Sequence, residues 1–443
     1  MNITFVNPTI PYKFENTPYI PLGIGYLVSS IQKECQFVTG IQLMDGQILT
    51  EEEFWRAIES VVTDVVLISA TIRQMKAATK IATIIKRHNE DVVVILGGPG
   101  PSGFSKLPRM GNIDIIVKGE AEEILPLILR QISLELPLQL DGKAHISYEE
   151  NSTIVTVREM PDVDAIPWPN RTIFDTAAYE KRWRNSAGMN SINVIGSRGC
   201  PFGCIFCDHS VTGRRVRYRN VSNIAEEMIA LHMQFKPDDI FFYDDLFTLD
   251  EHRVITLCRF LGMSNIPITW SAQGRVDTVT KPMLEHMRDA GCTELMFGVE
   301  SGSNGILKYL NKGFTRSQII AAFRLCHEVG IKPGAYIIIG IPGETMRDIK
   351  QTITLIEKIE PSLLNISYLT PFPATPLFHA TEGIIRNTNY DTWDDFQTSP
   401  YAYAYEVDPK ESERLIREAY RKKIENGMPH SAYQFANSKN KGG

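Results

Sequence analysis

The sequence lacks the segments that carry a protein into or across a membrane. No run of about 18 or more apolar residues occurs among its 443 residues, so we predict no transmembrane helix. Residues 1–8 lack the basic, apolar and small-residue regions of a secretory signal. The sequence also lacks a large excess of either charge, because 46 Lys and Arg nearly balance 52 Asp and Glu, for a net charge of −6. The composition therefore predicts a cytoplasmic protein with no nucleic-acid partner and no membrane partner.

Cysteine is sparse, and its seven copies are an odd number. Three lie within one short segment, and the other four are scattered in apolar surroundings: Cys35, Cys258, Cys292 and Cys326. This distribution argues against a disulfide framework and favours a reducing compartment with one ligand cluster. We interpret the scattered cysteines as small buried hydrophobic residues.

Residues 1–160 alternate between β-rich runs and helical patterns. The predicted strands are Ile3–Val6, Ile41–Met44, Asp64–Ala70, Val92–Leu96 and Ile113–Val117, followed by a hairpin of His145–Tyr148 and Thr153–Val157. The predicted helices are Leu22–Ile31, Glu52–Val62, Met75–Lys86 and Glu122–Ile132. Two of the strands are apolar throughout, as expected for a parallel sheet covered on both faces. The pattern predicts a doubly wound, Rossmann-like α/β domain that binds ligands beyond the carboxyl ends of its strands.

Residues 161–187 are rich in Pro, Trp and charge, and we predict a linker between domains. A second alternation over residues 188–380 contains six predicted strand–helix units. Their parallel strands suggest a curved, partial (β/α)6 barrel, with its chemistry at the carboxyl ends of the strands. Residues 381–443 form a predicted helical extension, in which an amphipathic helix over residues 409–427 caps the barrel.

The three clustered cysteines, Cys200, Cys204 and Cys207, have the spacing Cys-x3-Cys-x2-Cys directly after the first strand of this barrel. Thiolates suit an iron–sulfur cluster or zinc. Three thiolates on a four-iron cluster leave one iron open to the amino and carboxylate groups of S-adenosylmethionine (SAM). The alternative is a structural zinc site with His209 as fourth ligand. Spacing alone leaves both open, and the position after a barrel strand favours the cluster.

Residues 188–380 resemble the radical SAM superfamily, because short matches follow consecutive strands as well. They are the cysteine segment, Tyr243–Phe247, Gln273–Arg275, Gly298–Gly302 and Gly340–Glu344. The resemblance implies a [4Fe-4S] cluster on the three cysteines. It implies SAM-binding residues Phe206, Asp244, Arg275, Glu300, Ser301, Gly340 and Gly343, and catalytic residues Asp244 and Tyr243. We also expect Trp270, Gln273 and Tyr368 to point into the barrel mouth.

The N-terminal domain resembles the class of this superfamily that carries a B12-binding domain. The matches are Pro21–Gly23, Asp45, Gly97–Pro99 and Val117–Glu122. The resemblance implies cobalamin between the two domains, bound by Pro21, Asp45, Arg73, Gly97, Gly98 and Glu120. No Asp-x-His-x-x-Gly sequence occurs and no His lies in the first 87 residues, so these loops supply no histidine to cobalt.

The leading hypothesis is a cobalamin-dependent radical SAM methyltransferase. The resemblance implies that SAM is cleaved reductively, that the 5′-deoxyadenosyl radical activates a carbon of a small metabolite, and that cobalamin delivers a methyl group. A flavodoxin or ferredoxin is the expected electron donor. The alternatives are a cobalamin-independent radical SAM enzyme that dehydrates, epimerises, cyclises or oxidises its substrate, and a non-catalytic zinc protein.

Overall fold

The computed structural model describes residues 1–9, 18–108, 110–140, 142–149, 151–385, 389–390 and 406–425. The strands of the N-terminal sheet are β1 Asn2–Asn7, β2 Gly40–Asp45, β3 Val65–Ser69, β4 Val93–Gly97, β5 Ile115–Lys118, β6 Ala144–Glu149 and β7 Ser152–Val157. The helices of this region are α1 Leu22–Glu34, α2 Glu51–Ser60, α3 Met75–His88, α4 Pro99–Ser102 and α5 Ile124–Ser133. The predicted strands and helices are all present, with ends that shift by at most three residues.

The strand order of this sheet is β2-β1-β3-β4-β5-β7-β6, and all neighbours are parallel except β6 and β7. Apolar side chains are buried on both faces, in one cluster with α1 and α5 and another with α2 and α3. The order 2-1-3-4-5 is one of the two common doubly wound arrangements, whose ligand crevice lies between β1 and β3. The predicted hairpin also joins this sheet, because β7 pairs in parallel with β5.

The predicted linker contains helix α6, Thr176–Ala187, which bonds to Asp45 at the end of β2 through Tyr179 and to Asp238, just before β11, through Arg184. It starts at an Asp175 side chain that accepts the Ala178 N–H, and it ends at Gly188 with a φ of 71°. The indole of Trp183 donates to the carbonyl of Pro18 at 3.0 Å. This helix therefore ties the first loop of the N-terminal domain to the start of the second sheet.

The second sheet has the strand order β15-β14-β13-β12-β11-β8, and all six strands are parallel. The strands of this region are β8 Ser191–Val194, β9 Ser197–Arg198, β10 Arg217–Tyr218, β11 Asp239–Phe242, β12 Trp270–Gly274, β13 Cys292–Glu300, β14 Lys332–Ile339 and β15 Leu363–Tyr368. The helices are α7 Val221–Phe235, α8 Glu251–Met263, α9 Lys281–Asp289, α10 Asn304–Tyr309, α11 Arg316–Val329, α12 Met346–Ile359, α13 Pro376–Thr381 and α14 Pro409–Glu425. The predicted partial barrel is therefore present.

The outer face of this barrel is its apolar core, and two residues expected at the mouth lie there instead. Trp270 is fully buried against Phe242 and Phe247, and its indole donates to the Ala290 carbonyl at 2.8 Å. Tyr368 also faces outward, and its hydroxyl bonds to Glu413 of α14. The expectation for these two was wrong because strand side chains alternate, and both residues share the face that meets the helices.

Helix α14 covers the outside of the barrel, as predicted for residues 409–427. The last two residues of that predicted helix lie outside the described part of the chain. Among the described residues, no helix is both long and apolar enough to span a membrane.

Candidate active site

The carboxyl edges of the two sheets face each other across the domain boundary. Arg198, after β8, pairs with Glu120 and Glu122, both at 2.7 Å, in the loop after β5. Arg217 pairs with the same Glu120. A Cβ on Gly103, after α4, would lie 3.4 Å from a carboxylate oxygen of Asp208 in the cysteine segment. The ligand edge of the N-terminal sheet thus borders the cysteines.

The three cysteines occupy the loop between β9 and β10, two-residue strands that pair as an antiparallel ribbon. Gly199 begins the loop with a φ of 91°, and a Cβ there would lie 2.5 Å from the Arg215 carbonyl oxygen. Only glycine lets the two ends of the loop approach this closely. The ribbon therefore fixes where the loop leaves and rejoins the barrel.

Backbone contacts dock the tip of this loop onto the barrel. The Ile205 N–H donates to the Leu310 carbonyl at 3.2 Å, and the Leu377 N–H donates to the Ile205 carbonyl at 2.9 Å. The Asn311 side chain donates to the Gly203 carbonyl at 2.7 Å. The loop is thus held by the end of α10 and the start of α13, independently of the thiols.

The thiols lie beside cationic groups. Arg275 Nη1 is 3.8 Å from Cys204 Sγ. The pKa of Cys204 is lowered to about 6, first by the hydrogen bond from Cys207 and then by the charges of Lys312 and Arg275. The same hydrogen bond and burial raise the pKa of Cys207. A metal ligand must be a thiolate, and neighbouring cations stabilise that form.

These residues fit an iron–sulfur cluster. Three thiols lie on one loop, with Cys200 and Cys207 half-buried and Cys204 buried. Within the described residues, no three His, Cys, Asp or Glu side chains are close enough together to hold a single metal ion. Cluster thiolates each bind a different iron, which suits a set of thiols gathered on one loop.

Asp244 lies at the root of the cysteine loop. It is buried, and its two oxygens accept the Gly196 N–H at 2.6 Å and the Ser197 hydroxyl at 2.5 Å. Burial raises its pKa. Arg253 binds the Gly196 carbonyl from the other side at 2.7 Å. These contacts fix Asp244 at the root of the cysteine loop, and the SAM-binding and catalytic roles predicted for it stay predictions.

Asp245 and Tyr243 flank Asp244. Asp245, which the sequence analysis did not single out, accepts the Gly199 N–H at 2.8 Å and the Thr212 hydroxyl at 3.0 Å. It therefore closes the cysteine loop at both ends. Tyr243 is 52% exposed at the carboxyl end of β11 and stays a prediction as a substrate contact.

Glu300 and Lys312 form a buried ion pair at 2.9 Å beside the cysteine loop. Glu300 has a φ of 62°, and its side chain folds back over Gly298, where a Cβ would lie 2.5 Å from Glu300 Oε1. The Lys312 ammonium lies 5.6 Å from the ring centre of Phe206. Lys312 was missed because nothing in its local sequence distinguishes it from a surface lysine in a turn.

Arg275 and Ser301, both predicted to bind SAM, make contacts within the protein. Arg275 forms two contacts of 3.0 Å with Asp277, donates to the Lys312 carbonyl at 2.5 Å and stacks 3.5 Å from the ring centre of Phe202. Ser301 is fully buried, and its hydroxyl bonds Thr352 at 3.3 Å. Both residues therefore shape the walls of the site, Arg275 beside the cysteines and Ser301 in the turn after β13.

The loop Gly340–Glu344 after β14 is organised by its last residue. Gly340 and Gly343 have positive φ angles of 72° and 77°. The buried Glu344 carboxylate accepts the Gly340 N–H at 3.0 Å, and burial raises the pKa of Glu344 to about 7. Glu344 was not among the predicted site residues, although it closes the motif that contained two of them.

We expect Glu344→Gln to remove a pH dependence of stability. The folded-state pKa of about 7 lies above the ordinary value near 4.3. The folded protein therefore binds the extra proton, and its stability falls as pH rises between those values. The melting temperature of the wild type should drop relative to that of Glu344→Gln between about pH 5 and pH 7, by a few degrees, and level off above. The exposed Glu357→Gln on α12 should keep the wild-type profile, and parallel profiles for wild type and Glu344→Gln would contradict this assignment.

Part of the predicted cobalamin site gathers at the crevice between β1 and β3. Gly98 has a φ of 99°, and a Cβ there would lie 2.8 Å from the Ala70 carbonyl oxygen. Gly97 ends β4 beside it, and Arg73 lies in the short 3-10 helix Ile72–Gln74 after β3. The buried Gln74 was missed, and it donates to the side chain of Asn7 at 3.2 Å and to the Pro8 carbonyl at 2.6 Å.

The other predicted cobalamin residues have different surroundings. The Asp45 carboxylate is buried and accepts bonds from Asn7 at 2.9 Å and from Tyr179 of α6 at 2.6 Å. Glu120 binds the two ribbon arginines, and Pro21 precedes the first residue of α1. Asp45 and Glu120 thus join the domain to its neighbours, and their contacts with cobalamin stay predictions.

The crevice fits a corrin that receives no cobalt ligand from its loops. The segments after β1, β3, β4 and β5 span residues 8–21, 70–74, 98–104 and 119–123, and their sequences contain no His, Cys or Met. Their glycines allow backbone to approach a flat macrocycle closely, as the turns at Gly98 and Gly100 illustrate.

Comparisons with known proteins agree with this architecture. The family model of the radical SAM superfamily matches residues 194–356, and that of the B12 binding domain matches residues 16–129. An uncharacterized methyltransferase of Pyrococcus horikoshii is 31% identical over 413 residues, which cover 90% of this chain and 86% of the relative. An anaerobic magnesium-protoporphyrin IX monomethyl ester cyclase of Cereibacter sphaeroides is 24% identical over 84% of this chain and 62% of the cyclase.

A solved structure shows the same fold. The cobalamin-dependent S-adenosylmethionine radical enzyme OxsB, with aqua-cobalamin and SAM bound, superposes with a TM-score of 0.73 at 21% identity. The match covers 94% of this chain and 66% of OxsB. The fold and the site define a radical SAM barrel joined to a B12-binding domain. The chain belongs to the cobalamin-dependent radical SAM family, and its predicted cofactors, the [4Fe-4S] cluster, SAM and cobalamin, are confirmed at that level.

Proposed function

We propose that this protein methylates an unactivated carbon of a small molecule. One observation carries the proposal: Glu120 of the B12-binding domain is ion-paired with Arg198 and Arg217, the two arginines of the ribbon that bears the cysteine loop. The ligand edge of one domain therefore contacts the ribbon that bears the cysteines of the other. A substrate bound at this boundary is within reach of both cofactor sites.

When bound, the cluster supplies the electron that cleaves SAM, and cobalamin supplies a methyl carrier. The protein's own residues keep these sites rigid and exclude water from them. Asp244 and Asp245 fix the root of the cysteine loop, and Glu344 shapes the loop after β14. Lys312, held by its ion pair with Glu300, lies beside the thiols, and its charge favours the thiolate of Cys204. Burial of these groups keeps water away from reactive species.

A cyclisation without methyl transfer is the second candidate, because one of the relatives reported above is named a cyclase. Both reactions start from the same cleavage of SAM. They differ in whether a second SAM is consumed as a methyl donor.

The test is anaerobic turnover of the full chain after reconstitution with iron, sulfide and hydroxocobalamin. With SAM and dithionite, we expect 5′-deoxyadenosine, together with S-adenosylhomocysteine that forms only when cobalamin is present. Production of 5′-deoxyadenosine without S-adenosylhomocysteine would remove methyl transfer and favour the cyclase-like reaction. One equivalent of zinc and no iron in anaerobically purified protein would remove both.

A flavodoxin or ferredoxin is the electron donor that we propose, because reduction of the cluster requires one electron at low potential. We place the protein in the cytoplasm, since all seven of its cysteines are free and an iron–sulfur site needs reduced thiols.

A further inference from the structure

A cavity of about 110 Å³ lies where the linker helix α6 meets both domains. Its walls come from the loop after β1, the first half of α6, the edge strand β8 and the last residue of α7. The cavity begins at Ser191, the first residue of β8, whereas the cysteine loop follows the carboxyl end of that strand. Ala177 of α6 lines the cavity and is exposed, so small solutes reach it from solvent. A cavity of this size holds about five or six non-hydrogen atoms.

Two buried side chains on the cavity wall each keep one polar atom without a partner. Arg171 is 7% exposed, and its Nη2 binds the Asn193 carbonyl at 2.7 Å and Glu227 at 3.2 Å. Asn193 is 3% exposed, and its side-chain nitrogen donates to the Ile20 carbonyl at 3.0 Å. Arg171 Nη1 and Asn193 Oδ1 have no hydrogen-bond partner among the described residues. Such buried groups are costly unless a ligand or ordered water satisfies them.

Arg171 also carries charge that its carboxylate partner does not fully neutralise. Glu227 pairs with Arg171 at 3.2 Å and with Arg219 at 2.7 Å, so two guanidinium groups share one carboxylate. All three side chains are buried. Among the described residues that line the cavity, the other charged side chain is Glu180, which is paired with Arg184 at 2.7 Å. The group around Arg171 therefore favours an anion.

The N-terminus of α6 adds a further donor to the same cavity. In its first turn, the Thr176 N–H donates to the Phe174 carbonyl at 2.9 Å, and the Ala178 N–H donates to the Asp175 side chain at 3.0 Å. The Ala177 N–H between them has no acceptor within the described part of the chain. A free N–H in the first turn of a helix favours an anion, because the helix dipole is positive at that end.

We propose that this cavity binds a small 2-hydroxy carboxylate, at a site independent of the function proposed above. Its carboxylate accepts hydrogen bonds from Arg171 Nη1 and from the Ala177 N–H, and its hydroxyl donates to Asn193 Oδ1. Its short carbon chain packs beside Ile192 and Phe235, which also line the cavity. A hydroxyl suits Asn193 better than an ammonium group does, because the charge around Arg171 repels a second cation.

An occupant of this cavity strengthens the junction between the linker and the two domains. Tyr179 lines the cavity and donates to Asp45 of the B12-binding domain at 2.6 Å. Trp183 lines it as well and donates to the Pro18 carbonyl at 3.0 Å. A ligand that binds only this folded arrangement raises the melting temperature in proportion to the logarithm of its concentration.

The test is a calorimetric titration of the full chain, without added cofactors, with lactate, propionate and lactamide. We expect saturable binding of lactate and a matching rise in melting temperature. Propionate lacks the hydroxyl and should bind about fivefold more weakly. Lactamide lacks the negative charge and should bind about tenfold more weakly.

Two variants of Ala177 locate the binding. Ala177→Glu places a carboxylate beside the bound anion and should weaken lactate binding about tenfold. Because Ala177 is exposed, and an acidic residue in the first turn of a helix is favourable, this variant keeps the fold. Ala177→Gln has the same size without the charge and should stay within about threefold of wild type. Both variants should melt within a few degrees of wild type when no ligand is present.

Absence of saturable lactate binding would overturn the inference, and the two unpaired atoms would then be assigned to ordered water. Equal binding of lactate and lactamide would overturn the anion site, and equal binding of lactate and propionate would overturn the 2-hydroxy class. Equal affinities of Ala177→Glu and Ala177→Gln would place the lactate outside this cavity. None of these outcomes depends on cleavage of SAM, so the proposed function is tested separately.

Discussion

Replacing Cys204 with Ala will abolish formation of 5′-deoxyadenosine while leaving the protein folded. Cys204 is the most buried of the three clustered thiols, and the hydrogen bond from Cys207, with the charges of Lys312 and Arg275, lowers its pKa and favours the thiolate. Loss of one of three ligands leaves a second iron of the cluster without protein ligation, so the cluster should be lost or inactive. The loop itself is docked through the backbone of Ile205 and the side chain of Asn311, which the substitution does not touch.

The measurements are iron content, the visible absorption of the reconstituted cluster and product formation from SAM with dithionite. We expect the variant to fall to the background of the assay, with a melting temperature within a few degrees of the wild-type apoprotein. Cys35→Ala is the matched control, because that thiol is equally buried but lies in the N-terminal domain. Retention of wild-type turnover by Cys204→Ala, or loss of iron from Cys35→Ala, would contradict the assignment.

The alternation of strands and helices could be predicted from the sequence because it depends on local pattern. Strands such as Val65–Ser69 are apolar throughout, and helices such as Arg316–Val329 begin at a Thr315 capping box and end at a glycine. The cysteine motif is likewise local, since its three ligands lie within eight residues. Strands, helices and the cysteine motif could therefore be predicted without knowledge of the fold, because each is encoded by one short segment.

The contacts that sequence reasoning could not supply depend on distant partners. Glu120 follows a strand and was predicted to bind cobalamin, but its partner Arg198 is 78 residues away and could not be predicted. Lys312 becomes part of the site only because Glu300 adopts a φ of 62° and turns toward it. The ribbon β9–β10 has two residues in each strand, too few for any periodicity to register. Trp270 was assigned to the inner face, and only its packing against Phe242 and Phe247 reveals the correct one.

Glu120→Gln will uncouple the two cofactor sites. Side chains of Glu120 and its partner arginines are nearly inaccessible, and the two guanidinium groups share its carboxylate. The substitution keeps the shape of the side chain but leaves Arg217 without its carboxylate partner in a buried setting. Removing one member of a buried ion pair typically costs about 3–5 kcal/mol. We expect that cost to be relieved by separation of the loop after β5 from the ribbon β9–β10, which changes the distance between the domains at the site.

This displacement predicts a specific pattern of products. The cysteine loop remains docked on α10 and α13 within the barrel, so cleavage of SAM to 5′-deoxyadenosine should stay within about threefold of wild type. Cobalamin-dependent formation of S-adenosylhomocysteine requires the two domains in their correct relative position. It should fall by about 100-fold, the effect expected for a misplacement of about 1 Å. The ratio of the two products is the readout, because a merely unstable protein would lose both together.

Glu123→Gln provides the control from the same loop. Glu123 pairs with Lys143 at 3.1 Å, with 43% and 42% of the two side chains exposed, and exposed pairs contribute at most about 1 kcal/mol. Its product ratio should equal that of wild type. If Glu120→Gln shows the same ratio as Glu123→Gln, the buried network would be a structural contact without a role in joining the two halves of the reaction. If both products fall in parallel with the melting temperature, the network would be needed for folding of the domain boundary and not for the relative position of the two domains.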